Sequence, residues 1–253
     1  MSDESAGGRR PAAGDVTPTP SARPAQQYNA PPPASAPKAV SEAVVITESM
    51  LADKRIDFER GMKYGQPLTI TLILSLIGVF VWQIGSGSLT SSASLIASGA
   101  LVRDRVLAGE AWRMLSAAWL HGGPDHLLGN CISLFVLGLG CEHALGARGM
   151  AVVFLASALG GSAMSIALSP GPSVGASGAI FGLMSALVLI LHRQRDKIFL
   201  RDKRIGVVVA VWAGYTFITG AMSPYVDNAA HLGGLVAGAL VGGVIPVRLK
   251  ASA

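Results

Sequence analysis

Six apolar segments alternate with more polar stretches after residue 65 of the 253-residue chain. Most of them approach the roughly 20 residues that an α-helix needs to cross a lipid bilayer, whereas the fourth is short. The segments cover residues 68–84, 126–145, 150–168, 177–192, 205–222 and 229–247. This pattern predicts an all-α polytopic membrane protein, built as a bundle of six transmembrane helices.

The residues before the first apolar segment divide into two parts. Residues 1–40 are rich in Pro, Ala, Ser and Gly and lack the apolar content of a core, which predicts a disordered tail. Residues 41–64 are mixed and charged, and we interpret them as a juxtamembrane segment. The membrane domain is predicted to cover residues 65–250. No apolar run follows the first few residues, so a signal peptide is not expected.

Composition agrees with the membrane class. Hydrophobic residues make up 51% of the chain and charged residues only 14%, whereas an ordinary soluble domain carries about 25% charged residues. A net charge of +5 can indicate a nucleic-acid partner. Here the basic residues fall in blocks between the apolar segments, so they are expected to flank a membrane and no nucleic acid is expected.

These basic blocks also predict an orientation. They precede the first segment, lie between the second and third and between the fourth and fifth, and follow the sixth. The loops between segments three and four and between five and six contain no Lys or Arg. By the positive-inside rule, both termini are cytoplasmic and the chain is multi-pass in the plasma or inner membrane. The exception is the long first loop, which is outside by parity and carries Arg103, Arg105 and Arg113.

Polar residues on three of the predicted helices are expected to lie at one depth. A rise of about 1.5 Å per residue places Ser177, His126 and His231 roughly 24 to 25 Å above the cytoplasmic end of their helices. Asn130 shares a helix face with His126, four residues away. A serine at a helix start can be only a cap. Clustered polar residues within a membrane are costly and tend to mark function, so the set favours catalysis.

Ser177 and His231 are of the residue types that form a nucleophile and its general base. Their contact requires the fourth and sixth segments to meet, and small residues four apart allow helices to approach closely. Such spacing occurs at Gly178 and Gly182 and at Gly234, Gly238 and Gly242. The sequence therefore predicts a Ser-His pair at a close helix crossing.

Acyl transfer also requires donors for a developing oxyanion. His126 and Asn130 can both donate hydrogen bonds, as can backbone N–H groups at the start of the helix that Ser177 opens. Asp227, four residues before His231, could be the third member of a triad or a helix cap. We favour the cap, and hence a dyad.

A metal site is the alternative use of the histidines. His121 and His126 are five apart, about 140° around a helix, which makes them a poor pair on one face. The chain has no HExxH motif and no CxxC pair. No metal and no cofactor are therefore expected.

Four motifs in residues 65–250 resemble those of the rhomboid family of intramembrane serine proteases. They are a Trp-Arg pair (Trp112, Arg113), H-x4-H-x3-N (His121, His126, Asn130), GxSGxxxG (Gly175, Ser177, Gly178, Gly182) and AHxxGxxxG (Ala230, His231, Gly234, Gly238). The resemblance implies six helices around a water-filled cavity that opens to the outside.

The resemblance also implies roles for individual residues. It makes Ser177 the nucleophile and His231 the base, and it makes His126 and Asn130 oxyanion donors together with the Ser177 backbone N–H. Phe181 is implied to stack on the catalytic histidine, a position where tyrosine is more usual in the family.

The same resemblance makes His121 and the Trp112–Arg113 pair structural, because they shape the first loop and the second helix. The implied substrates are single-span membrane proteins, cut within or near the bilayer at a small residue. The alternative is a catalytically inactive rhomboid-like protein that binds membrane clients. A small-solute transporter would be expected to show an inverted repeat, which we do not find in the sequence.

Overall fold

Helices make up most of the computed structural model, which describes residues 55–59, 61–200 and 226–249 and the single positions 207, 211, 214 and 218. The helices are α1 (Pro67–Gly85), α2 (Ser92–Ala97), α3 (Arg103–Leu107), α4 (Arg113–Ser116), α5 (Pro124–Leu168), α6 (Ser177–Arg193) and α7 (Asn228–Val244). Two strands of two residues each, β1 (Ile56–Asp57) and β2 (Ile198–Phe199), pair in parallel.

The predicted all-α class is confirmed for this part of the chain. The first four predicted segments and the sixth are helical, with ends that differ from the predicted ones by a few residues. Two of the described helices, α1 and α5, are long and apolar enough to cross a membrane. Most of the predicted fifth segment, the tail at 1–40 and most of 41–64 lie outside the described residues, so the count of six spans stays a prediction.

Helix α5 is interrupted at Gly146, which has φ 71° and ψ 165° inside an otherwise helical run of 45 residues. A continuous helix of this length would be about 68 Å long, more than twice the thickness of a hydrocarbon core. The break leaves two halves, 124–145 and 147–168, each of about 33 Å. A positive φ favours glycine because it has no Cβ. The two halves match the predicted second and third segments.

The start of α1 is fastened to the first half of α5 by a buried carboxylate. Glu142 is 3% exposed. Its carboxylate accepts hydrogen bonds from the backbone N–H of Leu68 at 3.0 Å, and from the N–H and Oγ1 of Thr69, each at 2.8 Å. The first N–H groups of a helix have no partner within the helix, and negative charge there is favourable. Glu142 therefore caps α1 from a neighbouring helix.

The second half of α5, α6 and α7 meet at small residues. A Cβ at Gly234 would overlap the carbonyl oxygen of Gly178, and a Cβ at Gly238 would overlap that of Gly182. Gly161 also packs against Gly178, because its own Cβ position would lie 3.6 Å from the Gly178 Cα. The predicted glycine contact between α6 and α7 is confirmed, and it brings the two backbones together.

We predict that Glu142→Gln destabilises the fold by about 1–3 kcal/mol. The amide keeps the shape of the side chain but replaces one acceptor oxygen with an NH2 group, which leaves a buried N–H donor of α1 without a partner. Unfolding in detergent, followed by circular dichroism, measures the change. Asp196→Asn is the control, because Asp196 is exposed. Equal stability of the two variants would contradict the capping role.

Candidate active site

Ser177 and His231 form a hydrogen-bonded pair between two helices. Ser177 is the first residue of α6 and His231 lies in the first turn of α7. His231 Nε2 lies 2.8 Å from Ser177 Oγ. The imidazole is buried, at 4% exposure, whereas Ser177 is partly exposed. This contact follows from the glycine crossing one turn below, which holds the two helix starts together.

An aromatic ring fixes the plane of the imidazole. Phe181 follows Ser177 by four residues and therefore lies on the same face of α6. Its ring stacks on that of His231, with the centroids 4.4 Å apart and the planes 16° apart. The stacking that the resemblance implied is present. Offset stacking of this kind limits rotation of the imidazole about its side-chain bonds.

The N-cap of α7 is Asp227, as the sequence predicted. Its carboxylate accepts a hydrogen bond from Ala230 N at 3.0 Å and from the hydroxyls of Ser165 and Ser169, the latter at 2.6 Å. Asp227 thus ties the start of α7 to the end of α5. The Nδ1 of His231 is buried and has no hydrogen-bond partner within the described ranges. In this part of the chain, the imidazole is therefore hydrogen-bonded to Ser177 and to no carboxylate.

The side chains of His126 and Asn130 lie next to Gly175, two residues before Ser177. A Cβ at Gly175 would lie 2.6 Å from His126 Cε1, 2.7 Å from its Nε2 and 3.5 Å from Asn130 Nδ2. Gly175 has φ 123°, and its N–H donates to Ala117 O at 2.8 Å. Glycine therefore satisfies both the backbone conformation and the space at this position.

His121 supports Asn130 from the loop before α5. Asn130 Nδ2 and His121 Nε2 are 3.0 Å apart, and the other ring nitrogen of His121 lies 3.2 Å from Trp119 O. The amide group of Asn130 has two protons, so one is left for a further acceptor. The helical spacing used to describe His121 and His126 as a poor pair on one face does not apply, because His121 precedes the helix. The two rings are in edge contact, with their centroids 5.2 Å apart.

Gln83 is a supporting residue that the sequence reading missed. It is completely buried. Its side chain bonds both backbone groups of His121, with Oε1 accepting from the N–H at 2.9 Å and Nε2 donating to the carbonyl at 3.1 Å. Its position in the sequence could have indicated this role, because Gln83 is a lone amide side chain in the apolar segment 68–84. An amide that is buried needs a hydrogen-bond partner.

The Trp112–Arg113 pair organises the first loop. Arg113 is 4% exposed and donates to Glu110 Oε2 at 2.6 Å and to the carbonyls of Ile96 and Ala100 at 2.6 and 3.0 Å. The Trp112 ring lies 4.7 Å from its guanidinium. The hydrogen bond from Arg113 holds the pKa of Glu110 below its usual value. These contacts agree with the structural role that the resemblance implied.

The first loop also holds the segment that leads to Ser177. Leu101 and Ser173 form an antiparallel bridge, with N···O distances of 2.9 and 3.0 Å. The loop ordered by Arg113 is thereby joined to residues 173–175. Together these elements place a hydroxyl, an imidazole base and two donor side chains around one helix start, which are the groups that acyl transfer requires.

Comparison with known proteins gives one family. A model described as the Rhomboid domain matches residues 108–247, more than half of the chain. The chain is 35% identical over 167 residues to rhomboid protease GluP of Bacillus subtilis (strain 168), covering 66% of this chain and 32% of that protein. It is 38% identical over 153 residues to RHOMBOID-like protein 5 of Arabidopsis thaliana, covering 59% and 49%.

A third relative is matched over more of its own length. Rhomboid protease AarA of Providencia stuartii is 33% identical over 201 residues, with 69% of this chain and 70% of that protein covered. Of GluP and RHOMBOID-like protein 5, by contrast, the chain spans about a third and about half.

We predict that Gly238→Ala destabilises the protein by about 1–3 kcal/mol, because the new methyl group overlaps the α6 backbone at Gly182 and forces the helices apart. Gly129→Ala is the matched control, since a Cβ at Gly129 has no neighbour within 4 Å. It should be neutral or slightly stabilising, by up to about 1 kcal/mol. The midpoint of unfolding in detergent, measured for both variants and the wild type, gives the change in stability. A Gly238 variant as stable as the control would refute the tight crossing.

Proposed function

Because the chain belongs to the rhomboid family, we propose that this membrane protein is a serine endopeptidase that cleaves other membrane proteins by a Ser177–His231 dyad. The observation that carries the proposal is the 2.8 Å contact between Ser177 Oγ and His231 Nε2. Support also comes from GluP and AarA, which are named rhomboid proteases.

The proposed reaction follows from the geometry of the pair. Ser177 Oγ attacks the carbonyl carbon of the scissile peptide bond while His231 Nε2 takes the hydroxyl proton. The imidazolium then gives this proton to the leaving amine as the C–N bond breaks, which leaves an ester on Ser177. Water then attacks the ester carbonyl while His231 takes its proton. As the ester C–O bond breaks, the imidazolium returns this proton to Ser177 Oγ, which releases the acid product and regenerates the hydroxyl.

The developing oxyanion needs hydrogen-bond donors that are already in place. We propose that the Ser177 backbone N–H, the His126 ring and the Asn130 amide supply them. The last two already face Gly175, and Asn130 is held by His121. Each donor would then be worth several kcal/mol of transition-state stabilisation, as at other oxyanion sites.

The proposed function also includes the placement of the site in the membrane and the class of substrate. Six spanning helices with both termini cytoplasmic would open the site to the outside, and the substrates would be single-span membrane proteins. The short α6 of 17 residues supports this placement. It is about 25 Å long, less than the hydrocarbon core, so a serine at its start lies below one membrane surface.

A second candidate is a client-binding protein without protease activity. Several relatives carry the name RHOMBOID-like rather than protease, including three further proteins from Arabidopsis thaliana. A stacked, hydrogen-bonded histidine against a serine favours the enzyme, because binding a client does not require it.

We predict that Ser177→Ala lowers the cleavage of a single-span substrate in liposomes by roughly 10³-fold or more, because the nucleophile is lost. His231→Ala should do the same. Ser92→Ala, on the exposed first turn of α2, is the control and should cleave normally. Addition of EDTA should change nothing.

Labelling with a fluorophosphonate separates the two functions. The proposed enzyme takes the label at Ser177, and Ser177→Ala does not. A wild-type protein that is folded by circular dichroism, yet shows neither labelling nor cleavage, would favour the client-binding function.

We predict that Phe181→Leu lowers kcat by about two- to tenfold, because the stacking on His231 is lost while most of the side-chain volume is kept. Phe181→Tyr keeps the ring and should retain the wild-type rate within about twofold. Initial cleavage rates at saturating substrate, together with unfolding midpoints, test this. If the leucine variant cleaves as fast as wild type, the ring does not hold the base.

A further inference from the structure

A cleft lies at the opposite end of the bundle from the start of α6. It has a volume of about 240 Å³ and is lined by the turn of α5 and by the segment that follows α7. Arg248 N donates to Ala144 O at 2.7 Å, which joins this segment to the end of the first half of α5. A Cβ at Gly149 would lie 3.2 Å from Ile245 Cγ2, so the missing side chain lets the segment pack closely.

Two arginines stand at this cleft. Arg148 and Arg248 both line it, and both are exposed. The Arg248 side chain lies over Gly146, whose Cβ position would be 3.1 Å from Arg248 Nη1 and 3.2 Å from its Cδ. Among the residues that the structure describes, no Asp or Glu lines the cleft. Among the described residues, neither cleft arginine takes part in an ion pair of the kind that joins Glu110 to Arg105 and Arg113 in the first loop.

The remaining wall of the cleft is apolar and continues along a helix. Val152, Ile245 and Pro246 line it. Val152 is four residues after Arg148 and therefore lies on the same face of α5. Leu155 and Leu159 continue this face, and all three apolar side chains are 40–52% exposed. An apolar stripe thus leads from the arginines along the second half of α5.

We propose that this cleft binds one anionic phospholipid, with its phosphate between Arg148 and Arg248 and an acyl chain along Val152, Leu155 and Leu159. Guanidinium groups pair with phosphate oxygens through two parallel hydrogen bonds. Basic pockets at the ends of membrane helices attract anionic headgroups. The exposed stripe supplies the second requirement, because a free phosphate has no use for an apolar surface that runs away from the charges.

Native mass spectrometry of the full chain in neutral maltoside micelles tests the proposal. Dioleoyl-phosphatidylglycerol should bind as a single adduct and dioleoyl-phosphatidylcholine much more weakly. R148Q/R248Q should raise the Kd for phosphatidylglycerol by about 10- to 30-fold, since each arginine near a membrane surface contributes about 1 kcal/mol. The matched control R195Q/K197Q removes the same charge from exposed residues outside the cleft and should leave the Kd within about twofold.

Two further measurements separate lipid binding from a change in the fold and from binding of free phosphate. Arg248 covers the α5 turn, so the single variant R148Q is measured as well, with an expected loss of about fivefold and an unchanged unfolding midpoint. Inorganic phosphate at the concentration of the lipid should not displace it. Equal affinity of R148Q/R248Q and wild type, equal binding of phosphatidylcholine, or displacement by phosphate would each overturn the proposal. Ser177→Ala should bind the lipid as wild type does, so the outcome is independent of the proposed protease function.

Discussion

The contact between the backbones of α6 and α7 is the constraint on which the rest of the structure depends. Where Gly178 and Gly182 meet Gly234 and Gly238, a single methyl group would overlap the opposing carbonyl. Helices usually pack with axes 8–10 Å apart, and side chains set this distance. Without side chains at the crossing, a short serine side chain and a histidine can span the gap between the helices.

Buried and partly buried polar groups connect the helices and loops around this crossing. Glu142 caps α1, Gln83 bonds the backbone of His121, Asp227 joins α7 to α5, and Arg113 joins α4 to the loop before it. Each connects elements far apart in the sequence or a loop to its neighbour. In an apolar environment, an unsatisfied polar group is costly, so each of these bonds specifies one arrangement strongly. The small residues let the backbones of α6 and α7 come close together, and the polar hydrogen bonds fix the orientation of the helices and loops around them.

Local pattern was sufficient to predict α1, both halves of α5, α6, α7 and the central pair, but not the three short helices of the first loop. Apolar segments coincide with α1, α6 and α7, and the spacing of the glycines identified the faces of α6 and α7 that meet. Ser177 and His231 could be paired because both lie one turn from those glycines. Contacts that depend on the course of a loop could not be predicted from the spacing of residues within helices. The rings of His121 and His126 touch although they are five residues apart, because His121 lies before the helix begins at Pro124 and helical spacing does not apply to it. Gln83 finds its partner in a loop 38 residues away, a distance over which periodicity carries no information.

The hydrogen bond between Ser177 and His231 joins residues 54 positions apart in the chain, with the histidine on the later helix. A ribosome makes the serine first and, at about 5–20 residues per second, takes roughly 3 to 11 s to reach the histidine. In the proposed mechanism, the hydroxyl has no base during this interval and is an ordinary, unreactive alcohol. Chains that terminate early carry the same inert serine. Under the proposed mechanism, the order of synthesis couples the reactivity of Ser177 to the packing of α7, and a nascent chain does not react with its neighbours in the membrane until that helix has packed.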